Sequence, residues 1–149
     1  MAESPLGRLA GTWEFEPFVE GRSAGKGRAT FEWIEGGEFL LERSVAEWTD
    51  PGWMENAPMT TQSVIGFDDT TLEVIQLYAD DRGVNRIYRG SLSDDQWRLE
   101  RAAADFHQRF VGEFRDDGRT IDGRWELSPD GTAWELDFPI TYRRTESLS

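Results

Sequence analysis

Apolar and polar residues alternate along almost every segment between turn signals, and helical periodicity is nearly absent. Alternation at period two marks strands with one dry face and one wet face. The reversals fall at Glu35-Gly36-Gly37, Asp50-Pro51-Gly52, Asp68-Asp69-Thr70, Asp80-Asp81-Arg82-Gly83, Ser93-Asp94-Asp95, Asp116-Asp117-Gly118 and Ser128-Pro129-Asp130-Gly131. Gly, Asp and Pro relieve or preset the backbone angles that tight turns need. The pattern predicts about ten strands, over 11–20, 27–35, 38–48, 60–67, 71–79, 84–91, 95–102, 105–115, 119–127 and 133–144. Short links force successive strands to be antiparallel neighbours. The chain therefore reads as one all-β domain over 1–149, an antiparallel up-and-down barrel that closes to remove its edges.

Two segments break the alternation. Ser4-Pro5-Leu6-Gly7-Arg8-Leu9 suits one helical turn, with Ser4 as cap and Pro5 at the first position, and would cover one barrel end. Thr49 to Pro58, with Trp53 and Met54 in its middle, is too long and too apolar for a hairpin tip. It reads either as a lid or as a plug for one end. Pro17 and Pro139 fall in the first and last strands, which meet where the barrel closes. Neither can donate to a ladder, so an imperfect seam is expected there.

The alternation also assigns faces. Trp134, Leu136, Phe138, Ile140 and Tyr142 share one side of the last strand and are expected inside, as are Ile121, Gly123, Trp125 and Leu127 on the strand before. Phe106, Gln108, Phe110, Gly112 and Phe114 form the dry face of 105–115, which leaves His107 on the wet one. Trp97, Leu99 and Arg101 are assigned inward on 95–102, and Leu72, Val74, Gln76 and Tyr78 on 71–79. On 38–48 the inward set reads Phe39, Leu41, Arg43 and Val45, with Leu40, Ala46 and Trp48 competing for it. On 84–91 the choice between Arg86 with Tyr88 and Asn85 with Ile87 stays open. The polar intruders, Arg43, Gln76, Arg101 and Gln108, then stand among rings with no Asp or Glu beside them. A desolvated guanidinium costs several kcal/mol unless an anion or many acceptors meet it. A small hydrophobic guest with an acidic or oxygen-rich head would resolve the mismatch. So would arginines that reach solvent along their stems from strand ends.

Composition narrows the partners. The 149 residues include 16 basic and 29 acidic side chains, for a net charge of −13. Such a surface repels phosphate backbones and anionic lipid, so neither nucleic acid nor a membrane is expected as a partner. The start, MAESPLGRLAG, has no apolar signal region, and a cytoplasmic location is expected. With no cysteine and one histidine, thiolate metal sites and Ser-His-Asp arrangements find no support. The Asp pairs at 68–69, 80–81, 94–95 and 116–117 are accounted for by turn chemistry. Aromatic residues make up 13% of the chain and include seven tryptophans, which can fill a small barrel or line a pocket in it.

LAGTWEF, WIEGGEFLLER, SVIGFDD, FHQRF and FVGEFRDDGRTIDGRWELSPDGTAWELDF, in that order from about Leu6 to Arg144, resemble a bacterial lipocalin-like family of unknown function. The resemblance implies a calycin-type barrel with a central pocket, similar at fold level to nitrobindins and fatty-acid-binding proteins. Nitrobindin-like proteins share the early Gly-x-Trp, here Gly11-Thr12-Trp13, and hold haem through a histidine late in the barrel. Residues 119–144 contain no histidine, so haem is disfavoured and no cofactor or metal is expected. The expected function is binding of one small, mostly hydrophobic molecule by Arg43, Gln76, Tyr78, Trp97, Arg101, Gln108, Phe110, Trp125, Trp134 and Tyr142. An isomerase or cyclase acting on such a molecule is the alternative. A homodimer is compatible with exposed barrel strands.

Overall fold

The computed structural model describes residues 4–145. A 3-10 helix over Pro5–Arg8 precedes β1 (Gly11–Val19), β2 (Arg22–Ser23), β3 (Gly25–Trp33) and β4 (Leu40–Trp48). Then come α1 (Pro51–Asn56), β5 (Thr60–Phe67), β6 (Val74–Asp80), β7 (Asn85–Leu92) and β8 (Gln96–Arg101). The chain ends with β9 (His107–Arg115), β10 (Thr120–Ser128) and β11 (Glu135–Arg144). Apart from β2, which pairs only with the end of β1, each strand lies antiparallel to its sequence neighbour, and β11 returns to β1 to close a ten-stranded barrel. No helix among the described residues is long and apolar enough to cross a membrane.

The N-terminal helix forms the floor. Ser4 caps it by accepting from the Leu6 amide at 3.2 Å, and Pro5 supplies the preset angle at its start. Leu6 and Leu9 are thereby driven into the barrel end, both fully buried. Trp13 donates its indole N–H to the Leu9 carbonyl at 2.9 Å. The Arg144 guanidinium lies 4.2 Å from the centre of the Trp13 ring and donates to the carbonyls of Ala10 at 2.6 Å and Arg8 at 2.5 Å. One side chain from the last strand thus ties down the turn that precedes the first.

The closing ladder pairs Trp13 with Arg144 and continues to Pro17 opposite Ile140, where it stops. The Pro17 carbonyl turns instead to the Ala24 amide at 2.9 Å. Next in line on β11 is Pro139, so the seam parts where each strand carries a residue with no N–H to donate. Toward the floor the barrel is sealed; toward the other end, which carries α1, its wall has a break.

Two registers differ from the pattern read off the sequence. On β4, Leu40, Glu42, Ser44 and Ala46 are buried, while Arg43 and Val45 are exposed. Both faces of this strand carry apolar residues, so alternation alone did not fix its phase. On β11, Trp125 of β10 pairs with Phe138 but Glu126 pairs with Leu136, which makes Asp137 the extra residue of a bulge. The bulge reverses the phase beyond it. Leu136 is 59% exposed, and Trp134 lies in the loop before the strand with its ring 4.1 Å from the Arg109 guanidinium. Leu72, also assigned inward, sits in the turn before β6 with a left-handed backbone and its side chain exposed.

Glycines at a cross-strand pair shape the interior. Gly112 and Gly123 face each other on β9 and β10, and the Phe110 ring lies over both. A Cβ on Gly123 would come within 2.7 Å of that ring, and one on Gly112 within 2.9 Å. Their absence lets Phe110 lie flat against the sheet, so the room above it stays open.

Candidate functional site

Above the floor lies a cavity of about 630 Å³, within the range of small-molecule sites. Much of its wall is ring surface. Trp97 packs on Phe110 at 5.0 Å, Phe110 on Trp125 at 5.2 Å, and Trp125 on Tyr88 at 5.5 Å. Phe31 and Tyr142 flank Trp97 at 6.2 and 6.3 Å. Most of these pairs meet edge to face or tilted, the arrangements that ring quadrupoles favour.

The segment expected to be a lid or a plug is the short helix α1. Asp50 caps it by accepting from the Trp53 amide at 3.2 Å, Pro51 opens it, and Ala57-Pro58 ends it. This capping directs Trp53 into the mouth, between Trp48 at 4.9 Å and Phe138 at 4.8 Å. Met54 is 62% exposed, so of the two large side chains it is the tryptophan that engages the barrel. Trp48 donates its indole N–H to the Pro58 carbonyl at 2.9 Å, and Arg82 reaches the Asn56 carbonyl at 3.3 Å.

Two polar clusters interrupt the rings. In the first, Gln108 Oε1 accepts from Arg86 Nη1 and from the Tyr88 hydroxyl, each at 3.0 Å. Arg86 also lies 5.2 Å from the centre of the Phe106 ring, and it forms no ion pair among the described residues. Burial raises the Tyr88 hydroxyl above its ordinary pKa, so it remains a donor. Close by, Tyr78 donates to Asp80 at 2.7 Å. Burial opposes the Asp80 charge, but the bonds from Arg82 and Tyr78 hold that carboxyl well below the usual range.

The second cluster surrounds Glu42. This carboxyl is 8% exposed and lines the cavity beside Ser44, Thr61 and Gln76, with Ser63 buried behind. Burial pushes its pKa up to about 7, against the pull of hydroxyl bonds from Thr61 and Ser63. Tyr142 is raised too, by burial first and by the Glu42 charge second. The two clusters occupy one cross-strand row, in which Glu42 pairs with Ser63, Ser63 with Tyr78, and Tyr78 with Arg86. Three strand spacings separate the ends, roughly 14 Å along the wall.

Of the residues singled out in the sequence, Gln76, Tyr78, Trp97, Gln108, Phe110, Trp125 and Tyr142 lie on the cavity wall. Arg43 is a correction: it points outward, because β4 takes the opposite phase. So is Trp134, displaced to the outside by the bulge at Asp137. Arg101 is half-buried at the end of β8, opposite Gln108, and is not among the lining side chains. The sequence reading missed Glu42 and Asp137 and left Arg86 with Tyr88 undecided; the interior does hold carboxyls. His107 takes the outward phase, and its ring lies beside Gly131 at the strand end. Buried without hydrogen-bond partners are Gln76 Oε1 and the Trp97 indole N–H.

Fold and site together define a closed ten-stranded antiparallel barrel around an aromatic-walled cavity with two polar clusters. No family model matches the chain, and no curated protein matches it. Among solved structures it is similar to the crystal structure of Rv2717c from M. tuberculosis, with 14% identity and a TM-score of 0.61, over 98% of this chain and 100% of that one. A likeness at that identity shows the fold alone.

Proposed function

We propose that the barrel binds one small, mostly hydrophobic molecule, with an oxygen-rich end against Arg86, Gln108 and Tyr88 and an apolar body among Trp97, Phe110, Trp125 and Tyr142. The observation that carries this reading is Arg86 itself, a guanidinium on the cavity wall that meets the Gln108 amide oxygen, the Tyr88 hydroxyl and a ring face but no carboxylate among the described residues. Such a group leaves donors over for a carboxylate, carbonyl or hydroxyl on a guest. Cavity size and ring lining agree with it. The sequence resemblance to lipocalin-like proteins adds support of the same kind. Native mass spectrometry of protein purified from its own host tests the proposal. A stoichiometric extra mass, released unchanged on denaturation, is the expected result. Protein that is uniformly without guest and takes up no hydrophobic fluorophore defeats it.

Glu42 favours a second reading, an isomerase or cyclase. A carboxyl that titrates near 7 can take and return a proton at neutral pH. Recovery of an altered molecule after incubation, abolished by Glu42→Gln, distinguishes turnover from retention.

A further inference from the structure

Hydrogen bonds around Glu42 all run toward it. Ser44 Oγ lies 2.5 Å from Thr61 Oγ1, and Thr61 donates to the Glu42 carboxyl oxygens at 3.0 and 3.3 Å. Gln76 Nε2 donates to Ser63 Oγ at 3.1 Å, which leaves the Ser63 proton for Glu42. Two relays therefore end on one carboxyl, each with the carboxyl as acceptor. A carboxylate offers about four lone-pair sites, so acceptor capacity remains after both.

No basic side chain among the described residues pairs with it. The strands on either side bring no charge to this face: β3 places Ala29 and Phe31 there, and β5 places Thr61 and Ser63. Across the lumen stands Tyr142, a neutral phenol. Arg86 is at the far end of the row and already holds Gln108, while Arg82, Asp50 and Asp137 line the cavity from the α1 end. Beyond the Thr61 and Ser63 hydroxyls, the cavity wall on this side continues as ring surface. Phe31 is its cross-strand neighbour, Trp97 lies between Phe31 and Tyr142, and Phe15 follows Tyr142 at 5.7 Å.

We propose that Glu42 and the arc of Phe31, Trp97, Tyr142 and Phe15 form an ammonium site, so that the guest is a hydrophobic amine with its cationic end at Glu42. A buried carboxylate with acceptor capacity to spare and no cation is the group a ligand ammonium compensates. Ring faces add cation–π attraction that an alcohol or a carboxylate would not receive. The net charge of −13 draws cations toward the molecule before they reach the mouth. The inference rests on the barrel being a receptor for a small hydrophobic guest, and it names the chemistry of that guest's second end.

Calorimetry on the full chain tests it, with 4-phenylbutylamine, its alcohol counterpart 4-phenylbutanol, and the variant Glu42→Gln. At pH 8 wild type should bind the amine at least about tenfold more tightly than the alcohol, and Glu42→Gln should lose that preference while still binding the alcohol. An amine bound no better than the alcohol, or a preference that survives in the variant, overturns the ammonium site; if the alcohol binds, the wider receptor reading stands. If neither probe nor a hydrophobic dye binds wild type, both fall together. A second readout needs no variant. At pH 6, where Glu42 is largely protonated, amine binding should release a proton, seen as a heat that depends on the buffer's ionisation enthalpy. Binding of the amine without proton release overturns the proposal.

Discussion

The two ends of the barrel are built from opposite materials. At the floor, Leu6, Leu9 and Trp13 are fully buried, and the Trp13 indole and the Arg144 guanidinium both find carbonyl partners. Toward the mouth the β1–β11 ladder has already parted at Pro17, a bulge exposes Asp137 to the cavity, and a six-residue helix covers the gap with one tryptophan. Between them lie Glu42 and Arg86, groups that a barrel built only for stability would not carry. The contrast teaches a division of labour. Cohesion is concentrated at the floor, and the polar groups without counter-charges stand on the cavity wall between the two ends.

Trp13→Ala tests the cohesive end and carries the largest expected effect. Losing a fully buried indole should cost about 3–5 kcal/mol in urea unfolding, through lost transfer energy and the void left behind. Arg144 would also lose the ring beneath it. A loss below about 1 kcal/mol would mean that the floor is not where cohesion resides.

Glu42→Gln comes second, and its sign is opposite. The unfolded chain gives up this proton near 4.5, whereas the folded chain holds it until about 7. Below that window both states are protonated and the residue does not shift the balance. As pH climbs through the window the unfolded state ionises first, so the wild type loses stability, and the loss is complete above 7. The variant should therefore be more stable than wild type by up to about 3 kcal/mol at pH 8, with the gap closing toward pH 4.5. A gap that does not change with pH would mean that Glu42 is not desolvated.

Glu42 also marks what a sequence can and cannot disclose. Trp97, Phe110 and Tyr142 stand in alternating runs, so their inward side was legible at once. The barrel and its order of strands followed from turn spacing in the same way. Glu42 was hidden because alternation rates a carboxylate as wet. On β4, Leu40 and Leu41, or Val45 and Ala46, argue equally for either face. What settles the phase is pairing with β3 and β5, which brings Glu42 between Phe31 and Ser63. On β11 a single bulged residue reverses the pattern and sends Leu136 and Trp134 to the outside, and nothing in local composition announces it. Long-range pairing decided both cases, and one chain read alone does not carry it.

Trp53→Ala addresses the mouth. Its two aromatic contacts are worth about 0.5–1.5 kcal/mol each, so the variant should weaken the cover by about 1–3 kcal/mol. If α1 is a lid, a bound hydrophobic fluorophore should dissociate roughly ten to a hundred times faster in stopped flow. Global stability should shift by less than for Trp13→Ala, since the floor is untouched. Equal losses of stability with an unchanged release rate would make α1 a plug and would remove the distinction between the ends.

Asp50→Ala gives the smallest effect and sharpens the same point, because it leaves the tryptophan in place and removes only what directs it. The Asp50 carboxylate caps α1 at the Trp53 amide and also accepts from Arg22 at 3.3 Å. Losing a cap costs about 1 kcal/mol, a factor of about five in how often the helix opens. Hydrogen exchange at the Trp53 amide should quicken by that factor, and fluorophore release should quicken with it if opening of α1 governs exit. Asp50→Asn, which keeps an acceptor but no charge, should restore most of the protection. Faster exchange with unchanged release would show that a guest leaves elsewhere, through the wall parted beyond Pro17 and Ile140.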